Sequence, residues 1–342
     1  MTKEILCGKT VYDIHEMLRI HGYGVSHATQ VANNLYKKRI TDIPLFRNIP
    51  GKLLRLLSSI ADTGFSPPSR SEVSGDKTVK YLFTGEGGKQ FETVYIPDKK
   101  RNTVCVSTQS GCRMGCPFCL TGRYGYHGDL SPGEIINQIL SIPEASRINR
   151  VVFMGMGEPM DNLGNVLKAC RIITSEWGMA LSPRDVTVST VGITTGIIEF
   201  LEESDCNLTL SLYSPFAAER SRIIPAERKY PAREIIEILK HFPAGKKRRF
   251  SIAYVMIMDV NDTDSHLEEL KKLLNGSDIR VNLLPYHTFS GDSANPSSEE
   301  RMLHFRHSLV LSGISASIRR SRGADIGAAC GLLASGLGRE IN

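Results

Sequence analysis

Three cysteines within eight residues form the densest group of reactive side chains in the sequence, Cys112-x-x-x-Cys116-x-x-Cys119. Thiolates hold iron–sulfur clusters, and close spacing lets one loop bind three irons of a four-iron cube. With only three thiolates nearby, one iron would stay open to a substrate, by the logic of an open catalytic zinc position. A zinc site completed by a histidine such as His127 is the alternative, although zinc motifs usually pair two short cysteine elements and only one is present.

The composition is that of a globular protein of 342 residues, with 41% hydrophobic and 23% charged residues. No apolar run approaches the roughly 20 residues that span a membrane, so we expect a cytoplasmic protein without a membrane segment. In that compartment the eight cysteines are not expected to form a disulfide framework. The net charge of +6 is compatible with a polyanionic partner without requiring one.

Basic residues are concentrated in four short clusters, and these favour a phosphate-binding surface, although solvated surface charge explains any one of them alone. The clusters are Lys37-Lys38-Arg39, Lys99-Lys100-Arg101, Lys246-Lys247-Arg248-Arg249 and Arg319-Arg320-Ser321-Arg322.

The first 70 or so residues have the three- and four-residue apolar spacing of short amphipathic helices. The three predicted helices are VYDIHEMLRIHG, VSHATQVANNLYKK and IPGKLLRLLSSIADTG. SPPSRSEVSGDK then has the composition of a linker. TVKYLFTG and KQFETVYIP, separated by EGG, predict a β-hairpin.

From about residue 102 onwards, strand-like runs alternate with helix-like segments. Six such units in series predict a parallel α/β sheet, either doubly wound or curved into a barrel; the pattern itself does not decide between six strands and eight. The strand-like runs are TVCVST, RVVFMGMG, DVTVSTVG, LTLSLYS, RFSIAYVMI and IRVNLLPY. Glycine-rich and polar segments follow several of these strands, and in a barrel such loops meet at one mouth.

Several of these segments together resemble a known family. CRMGCPFC after the first strand resembles the radical S-adenosylmethionine (SAM) signature. The series QSGCRMGCPFCLTG, VVFMGMGEPMDN, VTVSTVGI and RRSRGADIGAACG is similar to the RlmN/Cfr family of adenine methyltransferases. The resemblance covers residues from about 77 to 335 and, more loosely, the N-terminal helices.

The resemblance implies an α/β radical-SAM (β/α)6 partial barrel with a small N-terminal all-helical accessory domain. We expect three parts: an RNA-docking domain over residues 1–72, a linker with a β-hairpin extension over 73–101, and the catalytic barrel over 102–342. From the residues alone, a generic helical packing domain is as good an interpretation of the N-terminal part.

By the same resemblance, Cys112, Cys116 and Cys119 hold a [4Fe–4S] cluster whose open iron binds SAM. Two molecules of SAM would be used per turnover, one as methyl donor and one as radical source. The implied SAM contacts are Gly157, Glu158, Ser189, Ser211, Leu212, Tyr213 and His287. The chain departs from the family at two of them, where histidine is common in place of Tyr213 and asparagine in place of His287; both replacements can still form hydrogen bonds.

The implied catalytic residues are Cys330, Cys105 and Glu92. In the family, the cysteine matching Cys330 takes a methyl group from SAM, and a 5′-deoxyadenosyl radical then removes a hydrogen from that S-methyl group. The resulting carbon radical adds to adenine, in a form of covalent catalysis. Cys105 matches the thiol that resolves the adduct through a transient disulfide with Cys330, and Glu92 matches the proton acceptor. Without the resemblance, both cysteines are typical of buried apolar positions and Glu92 of a strand face.

The implied function is methylation of C2 of an adenosine in 23S ribosomal RNA, and also in transfer RNA. Three alternatives remain: C8 methylation of the same adenine giving antibiotic resistance, a radical SAM enzyme with another substrate, and a non-catalytic zinc RNA-binding protein. The expected partners are structured RNA and an electron donor such as flavodoxin or ferredoxin, and the expected state is a monomer.

Overall fold

The computed structural model describes residues 3–243, 248–289, 294–334 and 337. Its N-terminal part is built around the three predicted helices, which are confirmed. In chain order the elements are β1 (Glu4–Ile5), α1 (Val11–Arg19), α2 (Val25–Ala32), α3 (Gly51–Ile60) and β2 (Ala61–Asp62). The part is not entirely helical, because β1 and β2 form a two-residue parallel pair. Strands this short carry no periodic signal in a sequence.

An antiparallel extension follows, made of β3 (Arg70–Val73), β4 (Val79–Thr84) and β5 (Gln90–Ile96). The predicted hairpin is confirmed, since β4 and β5 pair with Leu82 opposite Glu92. The interpretation of SPPSRSEVSGDK as a linker is wrong over its four middle residues, 70–73, because they form β3, which pairs with β4 at the edge of the sheet. Edge strands are short and largely solvated, and this one therefore has the composition of a loop.

A long excursion separates the first barrel strand, β6 (Thr103–Cys105), from the helix that follows it. It contains β7 (Gln109–Gly111), α4 (Leu120–Tyr124) and β8 (Tyr126–Asp129). β7 and β8 pair in antiparallel fashion, so the cysteine motif lies between two strands that fix both of its ends.

The barrel is built from the predicted alternation. The remaining helices are α5 (Pro132–Leu140), α6 (Leu163–Thr174), α7 (Thr194–Glu203), α8 (Ala217–Ile223), α9 (Ala232–His241), α10 (Asp264–Leu274) and α11 (Glu299–Leu311). The remaining strands are β9 (Arg150–Phe153), β10 (Val186–Thr190), β11 (Asn207–Ser211), β12 (Phe250–Met256), β13 (Arg280–Pro285) and β14 (Ala316–Ile318).

Ten strands form one sheet in the order β14-β13-β12-β11-β10-β9-β6-β5-β4-β3. β6 and β9 to β13 are the six parallel strands of the predicted (β/α)6 partial barrel, and the short β14 adds a seventh at the edge. Within the described residues, β14 and β3 end the sheet without pairing to each other. The barrel is therefore open on one side.

Alternation along the strands separates the core from the interior of the barrel. On β12, Tyr254 is buried and stacks on Phe305 of α11 at 6.4 Å between ring centroids, whereas Ser251 and Ala253 point to the inside. Successive side chains of a strand face opposite sides. The outer face therefore packs against the helices, and the inner face is left free to line a cavity. No helix among the described residues has the length and apolarity of a membrane span.

The segment after β14 crosses from one edge of the sheet to the other. Asp325 accepts hydrogen bonds from Ser74 Oγ at 2.6 Å and from the Gly75 amide at 3.1 Å. Asp76 accepts from the Gly323 amide at 3.1 Å. This tail, residues 319–334, is thus fixed on the turn between β3 and β4.

Candidate active site

The cysteine motif lies at the carboxyl end of β6, on the loop between β7 and β8. The Cys112 amide donates to the Gly125 carbonyl at 2.9 Å and the Cys119 amide to the Cys116 carbonyl at 3.1 Å. Gly111 has a φ of +76°, and a Cβ there would lie 1.6 Å from the Gly125 oxygen, so only glycine fits at this turn. The course of the loop is therefore fixed by backbone hydrogen bonds and by a turn that requires glycine.

The three thiols are close enough to affect one another. Burial, with smaller contributions from Glu158 and Cys119, raises the pKa of Cys112 to about 12. Burial and the two neighbouring thiols also raise the pKa of Cys116. Such thiols are protonated on their own, and a coordinating metal would deprotonate them.

The donor set fits an iron–sulfur cube better than a single metal ion. Zn–S bonds of about 2.3 Å would bring thiolates within roughly 4 Å of one another. Among the described residues, no three Cys, His, Asp or Glu side chains stand close enough for such a site. His127, the proposed zinc ligand, instead has Nε2 at 3.1 Å from the Tyr124 carbonyl. In a cube each thiolate binds its own iron, and this loop carries three thiols that influence one another.

A small apolar cluster supports the loop. Cys116 packs with Tyr213, Ile257 and Tyr286, which follow β11, β12 and β13. The Phe118 ring stacks on Tyr213 with centroids 5.5 Å apart, and Tyr213 has a left-handed φ of +65°. Tyr213, one of the two residues that depart from the family pattern, thus packs against the cysteine motif.

The GMGEP segment follows β9 and packs against the base of the cysteine loop. Gly157 has a φ of +99°, and a Cβ there would lie 2.7 Å from the Gln109 amide nitrogen, so the close approach requires glycine. Glu158 is 2% exposed and accepts hydrogen bonds from the Met160 amide at 3.0 Å and the Val191 amide at 2.8 Å. Burial outweighs these bonds and raises the pKa of Glu158 to about 7. A cation placed beside the carboxyl group would have the opposite effect and favour its charged form.

The other predicted SAM contacts lie at the carboxyl ends of the next strands. Ser189 Oγ on β10 and Ser211 Oγ on β11 are 3.4 Å apart. Leu212 is fully buried in the core, so only its backbone could meet a ligand. His287 lines the barrel cavity and its Nε2 is 3.1 Å from Ser321 Oγ on the tail. Burial lowers the pKa of His287.

Arg220 on α8 was not predicted and organises the same strand ends. It is 1% exposed and pairs with the buried Glu227. Its guanidinium also donates to the carbonyls of Ser211 and Leu212, each at 2.9 Å, and to that of Val191. The pair is seven residues apart across a turn, outside the three- and four-residue spacing that marks helix pairs.

The tail brings Cys330 to the cysteine loop. The Leu120 amide donates to the Gly331 carbonyl at 2.9 Å, and Thr121 Oγ to the Leu333 carbonyl at 3.1 Å. Cys330 is exposed to the cavity, but the protein groups crowded around its thiol, and the neighbouring Cys119, raise the pKa of that thiol.

Cys105 is a further thiol near Cys330. The Cys105 side chain is buried at the end of β6, and burial together with the neighbouring Cys330 thiol raises its pKa. Cys330 is therefore next to both Cys105 and the cysteine motif, although these residues are far apart in the sequence.

Glu92 lies beneath the tail and outside the lining of the barrel cavity. Its carboxylate pairs with Lys80 at 3.2 Å, and both side chains are almost completely buried. Oε2 also accepts from the Ala334 amide at 2.7 Å. In the observed arrangement Glu92 therefore anchors the tail four residues beyond Cys330.

A cavity of about 420 Å³ occupies the inside of the barrel, with Cys330 in its wall. Of the four predicted basic clusters, the one at Arg319–Arg322 lines it, as does Arg249. Lys246 and Lys247 lie outside the described residues. Arg39 instead donates to the Ala145 carbonyl.

Comparison with known proteins agrees with this architecture. The model of the Radical SAM superfamily matches residues 106–275. A protein of Bacteroides thetaiotaomicron named "Probable dual-specificity RNA methyltransferase RlmN" is 42% identical over 342 residues, which is 100% of this chain and 99% of that protein. "Dual-specificity RNA methyltransferase RlmN" of Syntrophotalea carbinolica is 37% identical, covering 95% of this chain and 88% of that protein.

A solved structure also superposes over nearly the whole length. The crystal structure of a radical SAM methyltransferase from Sphaerobacter thermophilus is 34% identical, with a TM-score of 0.89 over 97% of this chain and 99% of that one.

Proposed function

Because the chain belongs to the RlmN family of radical SAM RNA methyltransferases, we propose that it methylates C2 of an adenosine in 23S ribosomal RNA, and also in transfer RNA. One observation carries the proposal: Cys330 lies in the wall of a polar cavity, on a tail that is hydrogen-bonded to the cysteine loop, and its thiol is near enough to raise the pKa of Cys105. A methyl-carrying thiol needs a cluster on one side and a resolving thiol on the other.

Cys112, Cys116 and Cys119 hold the [4Fe–4S] cluster in this proposal, and the cluster with SAM supplies one-electron chemistry. Gly157 lets the backbone approach SAM, and the buried carboxylate of Glu158 accepts from its ammonium group. Ser189, Ser211, the backbone of Leu212, and Tyr213 and His287 complete the SAM contacts. Burial of Glu158 supports this role, because charge pairing strengthens in a site that excludes water.

Cys330 carries the methyl group to the adenine, and Cys105 releases the product. When Cys105 attacks the sulfur of Cys330, the bond from that sulfur to the RNA-linked carbon breaks as the disulfide forms. The carbon keeps the electron pair and takes up a proton to become the methyl group. The enzyme's external reductant, which we propose to be a flavodoxin or ferredoxin, then reduces the disulfide.

Glu92 is the proposed acceptor of the proton that leaves the adenine carbon. Because the Ala334 amide and Lys80 occupy its carboxylate in the observed arrangement, this role requires the tail to withdraw from it. The proposed path for the proton is thus linked to movement of the tail.

The domain roles and setting follow from an RNA substrate. We assign residues 1–72 to RNA docking, 73–101 to the linker and hairpin that hold the tail, and 102–342 to catalysis. We expect a monomer acting in the cytoplasm, where ribosomal RNA is found.

The experiment that tests the function is an anaerobic reaction of the cluster-loaded protein with methyl-labelled SAM, a reductant and a 23S RNA fragment. Mass spectrometry of the digested nucleosides should show label in 2-methyladenosine. Label in 8-methyladenosine would show that the methylated carbon is C8 and not C2. SAM cleavage without labelled RNA would indicate another substrate. A colourless protein with one zinc and no iron would refute the proposal altogether.

A further inference from the structure

Arginines converge on the end of the barrel cavity opposite the strand ends that carry the proposed SAM contacts. Four come from the amino-terminal ends of the parallel strands, namely Arg150, Arg184, Arg249 and Arg280. Three more arginines line the same cavity from the tail just after β14, namely Arg319, Arg320 and Arg322. Because β14 runs parallel to β13, the tail starts at the other end of the strands, and the Arg319 side chain reaches back to Asn282. Among the described residues that line this cavity there is no carboxylate. The cavity therefore carries a concentrated positive charge.

Two of these arginines lie near an acidic residue. Asp185 is 3.5 Å from Arg150 and Asp76 is 3.8 Å from Arg322, both at the long end of ion-pair distance. Arg319 donates to the neutral Asn282 Oδ1 at 3.0 Å.

The arginines also repel one another. Burial and the positive charges of Arg150 and Arg101 lower the pKa of Arg319. The Nε of Arg150 is shielded from solvent and has no hydrogen-bond partner among the described residues. Like charges held together oppose folding, so this arrangement is one that an anion would stabilise.

Neutral polar side chains line the barrel between the arginines and Cys330. They project from successive strands at Thr187, Thr209, Ser251 and Asn282. Thr209 Oγ and Ser251 Oγ are 2.8 Å apart, and such groups can donate to or accept from a base or a sugar. The cavity thus has a thiol in its wall, a polar middle and a cationic end.

We propose that the arginine end of the cavity binds phosphate groups of the RNA strand next to the target adenosine and holds the unstacked nucleotide with its base toward Cys330. The inference rests on the proposed function and deepens it by assigning the residues that receive the strand. A guanidinium group can donate two parallel hydrogen bonds to two oxygens of one phosphate. Unstacking a base costs a few kcal/mol, and phosphate contacts made at the same time offset that cost.

The test uses the full chain with Arg249→Gln and Arg280→Gln together. Both side chains are solvent-exposed, so the fold should tolerate the change. The matched control removes two exposed positive charges elsewhere, with Lys272→Gln on α10 and Arg306→Gln on α11.

Binding of a structured 23S RNA fragment is measured by fluorescence anisotropy at several salt concentrations. The slope of log affinity against log salt falls by about one for each phosphate that the protein no longer binds. The slope of the double variant should therefore fall by about two and that of the control should stay unchanged. Affinity at low salt should fall by about tenfold for each arginine.

Methylation of Cys330 by labelled SAM in the absence of RNA is followed in parallel and should be normal in both variants. If the double variant methylated Cys330 normally and its salt slope for RNA binding were unchanged, or if the slope of the control variant changed equally, only the proposed phosphate site would be overturned. If inorganic phosphate saturated the arginine site and the salt slope of RNA binding were the same in the double variant as in the unsubstituted protein, the arginines would bind a free anion. That result would overturn the RNA assignment. Absence of methylated Cys330 in the unsubstituted protein would instead overturn the proposed function.

Discussion

Replacing Arg220 by methionine should destabilise the protein more than any change of a surface charge. Arg220 is 1% exposed and its partner Glu227 is 5% exposed. The substitution leaves the Glu227 carboxylate buried without its countercharge and removes the donor from the carbonyls of Val191, Ser211 and Leu212. Breaking a buried pair by removing one partner costs roughly 3–5 kcal/mol.

The expected shift in melting temperature follows from the size of the protein. At about 2.1 cal/mol/K per residue, unfolding of 342 residues carries an entropy near 0.7 kcal/mol/K. The loss therefore corresponds to a decrease of about 4–7 °C, measured by calorimetry of the metal-free protein. Binding of SAM should also weaken, since Arg220 fixes the backbone of two proposed contact residues.

The control is Arg171→Met, which breaks an exposed pair with Glu203 at 3.5 Å. Exposed pairs contribute up to about 1 kcal/mol, so its melting temperature should fall by less than about 1.5 °C. Arg220→Lys keeps the charge but not the planar set of donors, and should lie between the two. If Arg220→Met melted within 1.5 °C of the unsubstituted protein, the organising role of Arg220 would be wrong.

Three further predictions concern the site itself. Burial raises the pKa of Glu158 from 4.5 to about 7, so the protonated carboxyl stabilises the fold fully below pH 4.5, and about 3 kcal/mol of that stability is lost as the pH rises through 7. The difference in melting temperature between the unsubstituted protein and Glu158→Gln should therefore change between pH 5 and 8. A difference that stays constant over this range would contradict the raised pKa. Cys330→Ala should keep its iron, measured by iron analysis and absorbance, and transfer no methyl group to RNA; loss of iron would show that this thiol is a cluster ligand. Cys105→Ala should accumulate a covalent RNA–protein adduct on denaturing gels, whereas release of free methylated RNA would exclude a resolving role.

The sequence predicted those features that are local in the chain. Six strand–helix units follow from apolar runs of the right length, and the cysteine loop from spacing within eight residues. β3 was missed because a solvated edge strand has few apolar residues. β7 and β8 were missed because each has only three or four residues and their pairing encloses the motif.

The parts of the site that join residues far apart in the chain were harder to predict from the sequence. Without the family resemblance, Cys330 would have been interpreted as an ordinary apolar cysteine, since only the folded tail brings it to Cys105. Arg220 has no partner at helical spacing, and its acceptors are carbonyls, which every residue has. The arginines of the cavity precede, begin or follow different strands, so only the curvature of the sheet shows that they line one space.

The docking of the tail on the β3–β4 turn has a consequence for how the site opens. The gap between the two sheet edges is spanned by isolated contacts such as those of Asp325 and Asp76, and no strand ladder crosses it in the part of the chain that the structure describes. Each contributes about 1 kcal/mol, so this seam can separate while all ten strands stay paired. Amide hydrogens of residues 322–334 should exchange well before those of the barrel, and Cys330, the proposed methyl-carrying thiol, moves with this segment.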